Sequence, residues 1–254
     1  TAIVAAGCSH TGRKTSSMTT GSVPTDSSQA DASMSSPELE AATKSLGQLY
    51  IREPADKSVA MRYASVLQMS GHADQSLAVM RKLAIEHPKD REVLAAYGKA
   101  LAAAGELKAG LDAIRRAQTP EYPDWRLLSA EGAILDQLGE PDAARDLYRR
   151  ALELQPDEPS VLSNLSMSYL LQGDLNAAER YLREAGAAPG ADSRVRQNLA
   201  LVLGLQGRFE EAEKIARQDL SPRQAEANVA YLRALLSQRD SWSQIASEDG
   251  RRSG

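Results

Sequence analysis

Cysteine occurs once in the 254 residues, at Cys8, so the chain cannot close a disulfide within itself. Histidine occurs three times, and His10, His72 and His87 do not pair with the cysteine or with each other at metal-ligand spacing. Aromatic residues make up 4% of the chain, with Phe209 the single phenylalanine. No apolar run approaches the ~20 residues that a membrane-spanning helix needs. Neither sign of charge dominates: 30 basic and 34 acidic residues leave a net charge of -4, which argues against a nucleic-acid protein built on a broad basic face. Glycine-rich phosphate loops and the strained nucleophile turn of hydrolases are also missing. The many carboxylates, Glu210, Glu211 and Glu213 among them, read as solvated helix faces. With no catalytic residue, metal ligand or cofactor cradle to nominate, the chain reads as a non-enzyme that needs no cofactor.

What remains is 42% apolar residues, mostly alanine and leucine, in a background of other good helix formers. That composition points to an all-α fold. Its arrangement is periodic. Gly71, Gly105, Gly139, Gly173 and Gly207 follow one another at intervals of 34 residues. Seven residues before each stands a small side chain: Ala64, Gly98, Gly132, Ser166 or Ala200. Five after stands another: Ser76, Gly110, Ala144, Ala178 or Ala212. Leu67, Leu101, Leu135, Tyr169 and Leu203 hold one apolar register, and Met80, Ile114, Tyr148, Leu182 and Ala216 a second. A helix-turn-helix unit of this period is the tetratricopeptide repeat. The glycine ends a first helix, A. The two small residues sit where A crosses a second helix, B. Pro88 and Pro156 stop helix B, because proline cannot continue the hydrogen-bond ladder. Five units predict a right-handed solenoid of five helix pairs over residues 37–240. Residues 37–54, closed by Pro54, read as a half-repeat cap resembling helix B. A last helix reads as the opposite cap, covering the fifth repeat with Val229, Leu232, Leu235 and Leu236. Residues 241–254 read as a tail, with Trp242 folding back onto the cap. Ser166 and Gly110 depart from the usual glycine and alanine, and the expectation is locally looser packing at both.

The first residues, TAIVAAGCSH, look like the end of a signal peptide. Gly7 and Cys8, preceded by Ala6, resemble the bacterial lipobox, with Ala5 where leucine is commoner. This makes residues 1–8 a signal remnant and Cys8 the lipidation site. Residues 9–36 are Ser/Thr-rich and too polar to build a core, so they read as a disordered tether. The rule that Asp after the cysteine retains lipoproteins in the inner membrane is not met by Ser9. The expected location is therefore the periplasmic face of the outer membrane.

Helix A of this repeat lines a concave groove at its second, fifth, sixth, ninth, twelfth and thirteenth positions. In the fourth and fifth repeats the candidate peptide-binding residues are Asn164, Met167, Leu170, Arg194, Gln197, Asn198, Leu201 and Leu205. Asn164 and Asn198 stand one repeat apart. Such amides either hold an extended peptide backbone or bond to a neighbouring helix. The leucines either make apolar contact with a ligand or belong to the core between repeats. Arg194 can pair with a carboxylate. The second repeat offers only alanines and Lys99.

Four stretches go beyond the generic repeat: DREVLAAYGKALAAAGELKAGLDAIRRAQTP, DWRLLSAEGAILDQLGEPDAARDLYRRALELQP, EPSVLSNLSMSYLLQGDLNAAERYLREA, and the segment from Arg194 to Trp242. They resemble the TadD-like repeat lipoproteins of the tight-adherence (Tad/Flp) pilus system, over roughly residues 37–242. The resemblance implies a non-enzymatic outer-membrane lipoprotein whose partner is the pilus secretin or another pilus component, which it helps to localise and assemble. Two other readings stay open: a lipoprotein adaptor for envelope assembly or peptidoglycan enzymes, and a soluble scaffold if the N-terminus is not a signal.

Overall fold

The computed structural model describes residues 35–119, 121 and 123–252, with residues 239–252 as backbone only. Cys8, the signal remnant and nearly all of the tether lie outside the described residues. Twelve helices lie among those described. The A helices are α2 (Lys57–Met69), α4 (Arg91–Ala103), α6 (Trp125–Leu138), α8 (Pro159–Leu171) and α10 (Ser193–Leu205). The B helices are α3 (Ala73–Glu86), α5 (Leu107–Ala117), α7 (Pro141–Leu154), α9 (Leu175–Ala187) and α11 (Phe209–Ala216). Helix α1 (Ser36–Arg52) precedes them and α12 (Pro222–Arg252) follows. Every A helix begins one full period after the A helix before it, and the B helices keep the same interval.

Local chemistry sets these boundaries. Asp56, Asp90, Asp124, Glu158 and Asp192 stand immediately before the five A helices, again one period apart, and each side chain accepts a hydrogen bond from the first turn. A cap of this kind is worth about 0.5–2 kcal/mol, because it satisfies amides that have no helical partner. Asp90 does more than cap. Lys57 Nζ lies 2.8 Å from Asp90 Oδ2 and 2.7 Å from Glu92 Oε2, which ties the start of one repeat to the start of the next. At the other end of helix A, the repeated glycines adopt φ of 77° to 83°. A Cβ placed on any of them would meet nothing within 4 Å, so the requirement is torsional and not steric.

The steric glycines lie inside the helices, where A crosses B. A Cβ on Gly132 would come within 2.8 Å of the Tyr148 ring and 3.1 Å of the Ala144 carbonyl oxygen. A Cβ on Gly110 would approach the Gly98 carbonyl oxygen to 2.9 Å. The α4–α5 crossing is therefore tight, contrary to the looser packing expected at Gly110. Ser166 is also not a defect. It is fully buried, and its Oγ donates to the Ala178 carbonyl at 2.9 Å across the α8–α9 crossing. Ser76 makes the matching bond to the Ala64 carbonyl at 2.7 Å across α2–α3. A buried hydroxyl is tolerated there because the opposing helix offers it an acceptor.

Both apolar registers lie in the core. Leu67, Leu101 and Leu203 line it from the A side, and Met80, Ile114, Tyr148 and Leu182 from the B side. Each B helix also packs on the next A helix, so the core runs on through the stack. Consecutive A helices touch one another, and no two consecutive B helices pack comparably, which places the A helices on the inside of the curve.

The ends hold two corrections. Helix α12 docks on α10 and α11 through Ala225, Val229, Leu232 and Leu236, and Leu235 points away, 44% exposed. The expected set put Leu235 on the covering face. A helix has 3.6 residues per turn, so Leu235 and Leu236 sit about 100° apart and only one can face the core. In addition, residues 241–252 continue α12 as helix where a tail was expected. The Trp242 side chain lies outside the described residues.

Candidate protein-binding groove

The inner surface is built from the A helices, and its two halves differ. In the C-terminal half, Met167, Leu201 and Leu235 occupy one row, each a full period after the last. Met167 and Leu201 are half-buried, and Leu235 is open. Beside them lie Leu171, 56% exposed, and Leu205, half-buried. Leu170 leans into the core of the last repeats. Tyr231, 65% exposed, stands one period after Gln197. The result is an apolar strip with aliphatic and aromatic contacts and few competing charges. Neither Tyr231 nor Leu235 was among the sequence candidates, although adding one more period to Leu201 reaches Leu235.

The two asparagines take the second of their possible roles. Asn164 is 5% exposed, and its Nδ2 donates to Ser129 Oγ at 3.1 Å. Asn198 Nδ2 donates to Ser163 Oγ at 3.0 Å. Each bond joins the sixth position of one A helix to the fifth position of the A helix before it. A ligand reaching for the Asn164 amide would first have to break that buried bond. Gln197 is exposed. Arg194 is exposed too, but its Nε donates to Asp192 Oδ2 at 2.7 Å, so its charge already pairs with the capping carboxylate of its own helix.

In the N-terminal half, α4 lines the inner surface with alanines and α2 adds Met61, Arg62 and the exposed Met69. Residues 127–135 of α6 are all buried, which makes Ser129, Ala130 and Ala133 a floor of small side chains between the halves. Lys99, on α4, is largely shielded from solvent and has no hydrogen bond or ion pair among the described residues. Burial pushes its ammonium down to about 8; Asp124 opposes the shift and Arg126 adds to it.

The cluster that most resembles chemistry is a structural knot. Tyr148 Oη donates to Asp136 Oδ2 at 2.9 Å, and Ser168 Oγ donates to Asp136 Oδ1 at 2.7 Å. Burial raises the Asp136 carboxyl above its ordinary value, and the two donors oppose the rise. Burial, with Asp136 beside it, raises the Tyr148 phenol as well. The three groups join α6, α7 and α8. Glu131 is likewise satisfied, by Arg115 at 2.7 Å and Gln118 at 2.8 Å. Among the described residues no group of three or more His, Cys, Asp or Glu side chains is placed to hold a metal ion. No described helix is long and apolar enough to cross a membrane.

Two family models, both described as tetratricopeptide repeat, match residues 130–192 and 194–226. No curated protein matches the chain in sequence. Among solved structures, the chain is similar to PilW, described as a widely conserved type IV pilus biogenesis factor. That likeness has a TM-score of 0.60 and 19% identity, and covers 82% of this chain and 95% of the other. A thermophilic tetratricopeptide-repeat protein of Thermus thermophilus gives a TM-score of 0.60 at 20% identity, over 70% and 98% of the two chains. PilF of Pseudomonas aeruginosa gives 0.51 at 19% identity, over 72% and 81%. At such identities the shared property is the fold: an all-α solenoid of stacked tetratricopeptide-type helix pairs.

Proposed function

We propose that the chain is a non-catalytic scaffold of the bacterial envelope, anchored to the outer membrane by lipid on Cys8, that holds an apolar segment of a pilus-assembly protein in its C-terminal groove. The partner proposed is the secretin of a Tad/Flp-type pilus, and the role is pilotin-like. The apolar strip of Met167, Leu171, Leu201, Leu205, Tyr231 and Leu235 carries the proposal. It leaves leucines and a tyrosine open on the inner face. Surfaces of this kind mark binding sites. Gln197 and the rim of Asn198 supply polar contacts at its edge. The lipobox and the resemblance to TadD-like lipoproteins support the location, and the likeness in fold to PilW, described as a type IV pilus biogenesis factor, supports a role in pilus assembly.

The physical logic is division of labour. Several buried acyl chains, each CH₂ worth about 0.8 kcal/mol, fix the destination. The groove carries the passenger, and the tether raises its effective concentration near the membrane. The test compares Leu201→Glu with Leu235→Glu, a Cys8→Ala strain, and a strain lacking the protein. The groove pair should keep its helicity and melting temperature, lose affinity for the secretin subunit, and lower secretin multimers and surface pili together. Normal secretin assembly in the strain lacking the protein would remove the secretin from the proposal and leave a general envelope adaptor.

A further inference from the structure

Among the described residues, each end of the solenoid is half a repeat, and the halves are complementary. At the C-terminal end, α12 stands in the place of a sixth A helix. Val229 falls one period after Val195, in the series Val59, Val93, Leu127, Val161, Val195, and is buried like all of them. Leu232 reaches so close to α10 that a Cβ on Gly204 would lie 2.7 Å from its Cδ1. Ala234 falls one period after Ala200, where an A helix presents its small residue to helix B. No B helix follows among the described residues, and Ala234 is exposed. At the N-terminal end, α1 stands in the place of a B helix. Ala42, half-buried, falls one period before Ser76, and Leu46, already buried, one period before Met80, with no A helix ahead of them among the described residues.

A second register pairs the same two ends. Inside the chain, the fifth position of one A helix meets the sixth position of the next, as in Ser129 with Asn164 at 3.1 Å and Ser163 with Asn198 at 3.0 Å. At the tail the unmatched fifth position is Tyr231, 65% exposed. At the head the unmatched sixth position is Arg62, exposed and without an ion pair, hydrogen bond or ring contact among the described residues. A guanidinium over a phenol ring is a favourable pair.

We propose that the chain self-associates head to tail, α12 of one copy and α1 of the next completing a sixth helix pair between them. The contact repeats the crossing that the chain already makes five times, with Ala234 against Ala42 of the next copy and Tyr231 beside its Arg62. Such an interface is heterologous, so it leaves one free head and one free tail after every addition and builds rows or rings instead of stopping at a dimer.

Sedimentation equilibrium on the full chain carrying Cys8→Ser, which removes intermolecular disulfides, tests this. Average mass should climb past the dimer as concentration rises. Ala234→Glu breaks the tail and Ala42→Glu the head, and each should weaken association by about tenfold or more, because the crossing would bury an unpaired carboxylate. Arg62→Glu, at an exposed position, is a second head variant in case Ala42→Glu disturbs α1. A tail variant mixed with a head variant keeps one intact interface and should form a dimer and nothing larger. A wild-type chain that stays monomeric, a dimer that does not grow, or a mixture that fails to pair while both variants keep wild-type helicity would each overturn the proposal.

Discussion

At the scale of single residues, glycine has two separate jobs in this chain, and one pair of substitutions tells them apart. Gly139 is needed for its φ of 82°, with nothing near its missing Cβ. Gly132 is needed because Tyr148 and the Ala144 carbonyl fill the space. Gly139→Ala should cost about 1–2 kcal/mol, the penalty of a left-handed residue. Gly132→Ala should cost roughly 1–3 kcal/mol by overpacking and should also shift the near-ultraviolet signal of the tyrosines. Equal spectra for the two variants, measured beside their melting temperatures, would contradict the distinction. Lys99 gives a prediction in pH. Its folded-state value of about 8 lies below the ordinary 10.5, so the unfolded chain holds more protons between those limits. Stability contributed at this site therefore rises with pH from about 8 to about 10.5 and is lowest when the lysine is charged in both states. Lys99→Met should stabilise the protein at neutral pH by about 2–3 kcal/mol and abolish that rise. Denaturant melts at pH 7 and pH 10 measure both effects.

At the scale of elements, the A helices are joined by buried polar bonds as well as by apolar contact. Asn164 is the clearest case. Its hydrogen bond to Ser129 spans two A helices and is shielded from water. Asn164→Ala leaves the Ser129 hydroxyl without that partner and should cost about 1–3 kcal/mol in denaturant unfolding. Gln197→Ala, at an exposed position on the neighbouring helix, should stay within about 0.5 kcal/mol of wild type. Were Asn164 reserved for a ligand, its replacement would leave unfolding unchanged. The same bonds explain why the groove is legible only in part from sequence. An amide that recurs once per repeat looks alike whether it faces a peptide or a serine, and only the neighbouring helix decides which.

At the scale of the whole molecule, each helix pair in the stack contacts only its neighbours, so damage stays local. Val229→Asp places a carboxylate in the seam between α12 and α10 and should cost about 3 kcal/mol at that end. Hydrogen exchange should then quicken in α10, α11 and α12, while α2 to α5 keep their wild-type protection. Uniform loss of protection would mean that the stack unfolds as one unit. The buried knot of Asp136, Tyr148 and Ser168 sits at the middle of the stack and ties the third repeat to the fourth.

The helix pairs, their number and their phase are legible in the residues alone. Those features follow from backbone chemistry that recurs with every repeat: a glycine that must turn, small residues where helices cross, prolines that end them. The capping carboxylates at Asp56, Asp90, Asp124, Glu158 and Asp192 obey the same period, and the sequence carried that signal too. Which side chains stay open depends on how the helices pack. Periodicity fixes the angle of a residue around its own helix. Exposure depends on whether another helix lies at that angle, and at the ends of the stack no described helix supplies that neighbour. That is why Leu235 and Tyr231 face solvent while Val229 and Leu236, on the same helix, face the stack.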